Sequence, residues 1–232
     1  MTEPLRPTRR ELLRMLATVG AITASTTLLD GCTASAQTTA QASAQAAAQD
    51  QPGALIMIIR HGEKPPDSGS PQGIDENGKP SSHALTPQGW ARAHALVPLF
   101  APATGSLRPG LARPTAIYAS GGSGKEGLRT RETVTPLAAQ LGITLDTRFS
   151  KGEETALAQD VARRTGPTLI SWQHGELPAI PAALGTVTPT PPTHWPGTRF
   201  DLIWTLTPVA GGWSFGQIPE LVLGGDSNQS IA

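Results

Sequence analysis

Two apolar runs in this chain, Leu55–Ile59 and Thr168–Gln173, each lead into a histidine followed by a glycine: Arg60-His61-Gly62 after the first, His174-Gly175 after the second. Between them a third segment opens Leu128-Arg129-Thr130-Arg131-Glu132-Thr133. Two histidines and at least two arginines brought together suit a phosphoryl group. Its non-bridging oxygens carry negative charge that planar guanidinium groups bind bidentately. A neutral imidazole is nucleophilic at physiological pH and can hold the phosphoryl group covalently, which splits hydrolysis into two easier steps. His61 is read as that nucleophile and His174 as a donor to the phosphoryl oxygens, a division that the residue types alone do not assign.

For these residues to meet, the runs that carry them must be strands ending at one edge of a sheet. Leu55–Arg60 is Ile-rich and closed by glycine, as expected of a buried strand in a parallel sheet. Thr115–Ser120 and Thr168–Gln173 read the same way, and Ile143–Phe149 alternates like another strand. Helices are expected between them. Thr86 can cap one that starts at Pro87 and runs to Phe100; a second covers Gly127–Leu141, interrupted by Pro136; a third covers Glu153–Arg164, with acids first and arginines last. Phe200–Thr207 and Trp213–Gln217 form a closing pair around Gly211-Gly212. The expected fold is α/β, a three-layer sandwich whose mostly parallel central sheet has helices on both faces and an antiparallel edge strand. Ligands of such sheets sit beyond the carboxyl ends of the strands, where Arg60, His61 and His174 would emerge. Pro65–His83 is polar and rich in turn-forming residues, a long surface loop beside that edge.

The N-terminal part has a different character. Thr8-Arg9-Arg10-Glu11-Leu12-Leu13-Arg14 is a twin-arginine signature, followed by the weakly apolar Met15–Leu29, and residues 1–32 are read as a Tat-type export signal. Leu29-Asp30-Gly31-Cys32 is similar to a lipobox that would make Cys32 the lipidated first residue, with Asp30 an unusual neighbour. Cleavage after Ala34-Ser35-Ala36 is the competing outcome. Either way the mature protein is exported, to the periplasm or as a cell-envelope lipoprotein, and its membrane contact would be limited to the lipid anchor. Residues 33–52 are almost wholly Ala, Gln, Ser and Thr, a flexible linker with no apolar face to dock. The folded domain is placed at 53–232, within the range of one domain. Of the 18 basic and 18 acidic residues, residues 1–32 hold four and three, leaving 14 against 15. That balance gives no reason to expect a nucleic-acid partner. The single cysteine, Cys32, excludes an intrachain disulfide and any cysteine-based zinc site.

From about Ala54 to Leu184 the chain resembles the histidine phosphatase superfamily, also called phosphoglycerate-mutase-like. Arg60-His61-Gly62 matches its opening motif, and Leu85-Thr86-Pro87-Gln88-Gly89-Trp90-Ala91-Arg92-Ala93 resembles its L-T-x-x-G-x-x-R-A helix start. Arg129-Thr130-Arg131-Glu132-Thr133 resembles its R-A-x-x-T segment, and Ser171-Trp172-Gln173-His174-Gly175 its second histidine strand. The resemblance implies a phosphate pocket of Arg60, His61, Arg129 and His174, a phosphohistidine on His61, a small phosphorylated substrate, and no metal or organic cofactor. It also points to Arg129, not Arg131, as the second arginine. The chain departs from the family where a serine commonly lies three or four residues before that arginine: Ser120 lies nine before it, and the glycine-rich insert Gly121–Gly127 intervenes. For the general acid the candidates are Glu176, two residues beyond His174 and preferred here, Glu153, Glu154 and Glu63. Glu63 would point away from the pocket if the strand end stays extended. His83, His94, His194 and the tryptophans are read as loop or packing residues.

Overall fold

The computed structural model describes residues 54–232. The export signal, Cys32 and the 33–52 linker lie outside the described residues. Six strands form one sheet: β1 (Ile56–Arg60), β2 (Ala116–Ala119), β3 (Thr168–Trp172), β4 (Val187–Thr188), β5 (Leu202–Val209) and β6 (Gly212–Pro219), in the order β2-β3-β1-β5-β6-β4. β1, β2 and β3 are parallel and buried at every position, which is why their sequences run apolar without alternation.

The antiparallel member is β5, and it is not at an edge. It pairs with β1 on one side and β6 on the other, both antiparallel. The tight turn at Gly211-Gly212 sends the chain straight back, so the hairpin adds as a unit beside β1. The short strand β4, parallel to β6, occupies the edge instead. Ile143–Phe149 does not form the expected strand. It meets the β2 side at a single bridge between Asp146 and Tyr118, with one further backbone hydrogen bond from the Gly121 amide to the Phe149 carbonyl, too sparse for a strand. The alternation in that stretch reflects burial, since Ile143 and Leu145 pack on the core from beside β2.

Helices cover both faces. On one lie α1 (Pro87–Phe100) and α2 (Leu128–Leu141), packed on Met57, Ile59, Ile117, Leu169 and Ile203. On the other lie α3 (Glu154–Val161) and α4 (Ala179–Ala182), packed on Ile56, Ile58, Tyr118, Ile170 and Trp204. Successive β1 residues thus feed opposite layers, as the two-residue period of a strand requires. Trp172, Trp195, Trp204 and Trp213 belong to the second cluster. α1 starts as expected: Thr86 accepts from the Gly89 amide at 3.1 Å with proline at the first turn. α2 runs through Pro136 without a break and ends at Gly142 in the left-handed conformation. Proline removes its own N–H and its ring crowds the carbonyl four residues back, yet the helix continues through it.

Glycine fixes how α1 meets the end of β1. A Cβ on Gly62 would lie 3.0 Å from the Gly89 carbonyl oxygen, and one on Gly89 would lie 2.6 Å from that of Glu63. The two glycines are the two sides of one backbone contact, which sets the helix start directly on the segment after His61.

Candidate active site

The carboxyl ends of β1 and β3 run side by side, and the His61 amide donates to the Trp172 carbonyl at 3.1 Å, carrying the ladder one residue beyond β1. Arg60 is fully buried there. Its Nη1 donates to the carbonyls of Gly197 at 2.7 Å, Arg199 at 2.9 Å and Pro196 at 3.3 Å, and its guanidinium lies 3.8 Å from the centroid of the Phe200 ring. One corner of the fork is therefore fixed by backbone and one face by an aromatic ring. Nε and Nη2, the other edge, are buried and have no partner among the described residues. That edge has the geometry that takes two oxygens of an oxyanion. Burial pulls the Arg60 pKa down to about 10, which leaves it charged at neutral pH.

His61 is 4% exposed. Its Nδ1 lies 2.7 Å from the Gly62 carbonyl; a carbonyl only accepts, so Nδ1 carries the proton and Nε2 presents its lone pair. Burial, offset in part by that hydrogen bond and reinforced by the charges of Arg60 and Arg129, lowers the pKa to about 3. The ring is neutral throughout the physiological range.

Arg129 stands at the second position of α2. Its Nη2 donates to the Ser82 carbonyl at 2.8 Å, its Nε is buried without a partner among the described residues, and burial lowers its pKa. The helix start is possible because Gly127, at φ +63°, passes so close to Ser120 that a Cβ would sit 2.2 Å from the Ser120 carbonyl oxygen. Thr133, one turn on, ties the helix to β1: it accepts from the Gly62 amide at 2.7 Å and donates to the Arg129 carbonyl at 2.7 Å. Arg131 instead donates to the carbonyls of Ser120 and Glu126. His174 is half-buried, and its pKa is lowered by burial and then by the Arg60 charge. Arg60, His61, Arg129 and His174 are thus gathered at one edge of the sheet.

The carboxylates are placed differently. Glu176 Oε1 is paired with Lys151 Nζ at 2.5 Å. Glu153 accepts from the Ser150 amide, and Glu154 from the Trp172 indole at 2.9 Å, which commits both to local structure. Glu63 points away and joins Arg92, with Glu220 and Asp226, in a buried cluster at 2.8, 2.6 and 2.8 Å. A further buried carboxyl, Glu132, accepts from the Leu85 amide at 2.8 Å, and burial raises its pKa to about 7.

Several residues that sequence reasoning set aside or passed over border the site. His61 opens into a cleft lined by His83, Lys125, Arg129, Thr130 and Gln173. His83 and Lys125 come from polar inserts with no pattern to mark them, and the Arg60 cradle uses main-chain carbonyls, which any residue supplies. Gln173 donates to the Ser120 hydroxyl at 3.0 Å, so Ser120 is held beside β3 rather than beside Arg129. Among the described residues no group of three or more His, Cys, Asp or Glu side chains could hold a metal ion.

No protein-family model and no curated protein matches the chain. Among solved structures, the protein histidine phosphatase SixA complexed with tungstate is similar at 15% identity and a TM-score of 0.46, over 72% of this chain and 97% of that one. A mycobacterial glucosyl-3-phosphoglycerate phosphatase is similar at 14% identity and a TM-score of 0.42, over 72% and 97% of the two chains.

Proposed function

We propose that this protein is a phosphatase that hydrolyses phosphomonoesters through a phosphohistidine on His61, exported by its N-terminal signal and then either tethered through Cys32 or released by cleavage after Ala36. The observation that carries this reading is a buried neutral imidazole with its Nε2 free, set beside two arginines whose buried N–H groups have no partner among the described residues. Arg60 and Arg129 hold the phosphoryl oxygens. Nε2 of His61 attacks phosphorus as the ester P–O bond breaks, and the leaving oxygen takes a proton. Water then attacks phosphorus, the N–P bond breaks, and phosphate leaves. His174, kept neutral by burial, donates an N–H to an oxygen whose charge grows in the transition state. Glu176, which acts electrostatically on His174, and His83, in the cleft, are the candidate sources of that proton.

A second reading is a phosphate-binding module without turnover. It draws on the engagement of Glu176 by Lys151 and the structural duties of Glu153 and Glu154. Hydrolysis of an activated aryl phosphate by the purified protein, run beside calorimetry with vanadate, separates the two. Turnover that disappears in His61→Ala is the expected result. Vanadate binding without turnover favours the module, and turnover that survives His61→Ala overturns the phosphohistidine route.

A further inference from the structure

Beside the phosphate pocket lies a cavity of about 500 Å³, bounded by Pro178, Ala179, Pro181 and Ala182 on one wall and by Pro191 and Pro192 on the other. No charged side chain lines it. Its volume falls within the range of about 300–1,000 Å³ common for small-molecule sites. The proline walls have restricted backbones, so little order remains to be lost when a ligand enters.

Two stretches of chain lead from this cavity to the candidate catalytic site. Gly175 lines it and follows His174 directly. Thr193 lines it and precedes His194, whose charge acts on His174. The same loop continues to Pro196 and Gly197, whose carbonyls grip Arg60. The cleft that His61 itself borders is polar and cationic, with His83, Lys125 and Arg129. An uncharged cavity whose loop also holds Arg60, together with a cationic cleft at His61, matches a molecule with one anionic and one apolar end.

We infer that the cavity receives the apolar organic portion of the phosphorylated substrate, so that the substrate is an amphiphilic phosphomonoester. This rests on the phosphatase reading, in which the phosphate end occupies Arg60, His61, Arg129 and His174.

The test is a series of methyl, butyl and octyl phosphates offered to the full chain and to two variants, Ala182→Trp and Ala179→Glu. Both alter exposed residues of α4 that line the cavity, and thermal melts establish that each variant folds. The expected result is a kcat/KM that climbs with chain length, by about fourfold for each methylene buried, and a climb flattened in both variants while methyl phosphate is turned over at the unaltered rate. A kcat/KM indifferent to chain length, or a climb unchanged in both variants, overturns the inference. So does self-association that Ala182→Trp abolishes without altering the chain-length series, which would give the cavity to a second copy of the chain. If no ester is hydrolysed, the phosphatase reading fails separately, and calorimetry decides the cavity. Octyl phosphate binding more tightly than methyl phosphate, with the difference lost in Ala182→Trp, sustains it; equal binding overturns it.

Discussion

Thr133 and Gly62, 71 residues apart, are joined by a 2.7 Å hydrogen bond from the Gly62 amide to the Thr133 hydroxyl. Through it the segment carrying His61 is registered against the helix carrying Arg129. Replacing the hydroxyl by a methyl leaves a buried amide unpaired, at a cost of about 1–3 kcal/mol, and frees the two elements to drift.

Thr133→Val is therefore expected to lower kcat/KM for an activated aryl phosphate by about 10–100-fold, with Thr133→Ser recovering most of the loss. Serine and valine variants equally impaired would reduce the role of Thr133 to packing. The measurement is steady-state kinetics on both variants, with melting temperatures alongside.

Arg60→Lys keeps the charge and loses the fork. An ammonium cannot use one corner for the Gly197 and Arg199 carbonyls while offering a flat edge to two phosphoryl oxygens. We expect kcat/KM to fall by at least about 100-fold, two positioned charge-assisted hydrogen bonds being worth roughly that or more. Vanadate affinity should fall with it. A lysine variant that binds vanadate as tightly as the parent would show that the Nε and Nη2 edge does not face the anion.

The fold was legible where local chemistry decides it. The β1 run, the Thr86 cap and the Gly211-Gly212 turn each leave a signature in neighbouring residues, and each is where the sequence places it. The misplaced parts depend on partners distant in sequence. Ile143–Phe149 alternates because Ile143 and Leu145 pack, partly buried, on the core, and alternation cannot say whether the segment will form a full ladder with β2 or touch it at isolated points. Likewise nothing in Leu202–Val209 declares that it will dock against β1 rather than at an edge. At the candidate site, His61 and His174 stood out by residue type and position after apolar runs, and Arg129 was set apart from Arg131 only by the resemblance to the histidine phosphatase motif, whereas Phe200 and the carbonyls around Arg60 carry no mark of their purpose.

The buried cluster around Arg92 gives a pH signature unrelated to turnover. One guanidinium faces three carboxylates, and burial raises the pKa of Glu220, the most enclosed of them, to about 8 from an ordinary 4.5. A carboxyl whose folded pKa is raised holds a proton that the unfolded chain releases. Its contribution is whole below about pH 4.5 and is lost as pH rises toward 8. The melting temperature is thus expected to decline between about pH 6.5 and 8, with Glu132 adding to the fall through its own raised pKa of about 7; below about pH 6.5 the buried neutral His61, which the unfolded chain would protonate, opposes the trend. Glu220→Gln should make the decline shallower. An unchanged slope in that variant would show that Glu220 is ionised in the folded protein throughout.

Glu176→Gln tests the proton supply. An aryl leaving group of low basicity needs little help, whereas an alkoxide needs a proton as it departs. The expected outcome is a change of less than about threefold with the aryl ester and about 100-fold or more with an alkyl phosphate. Equal, small effects on both would assign Glu176 to its ion pair with Lys151 and turn attention to His83.

The hold on Arg60 comes from the main chain at Pro196, Gly197 and Arg199. Three carbonyl oxygens persist whatever side chains flank them, so this loop can diversify by substitution without loosening the clamp, while insertions or deletions would displace it. Lineages that share the pocket could then retune the adjoining proline-lined wall one residue at a time. In a saturation scan, Thr198 should accept nearly every replacement, and a single-residue deletion between Thr193 and Thr198 should be as damaging as losing Arg60 itself.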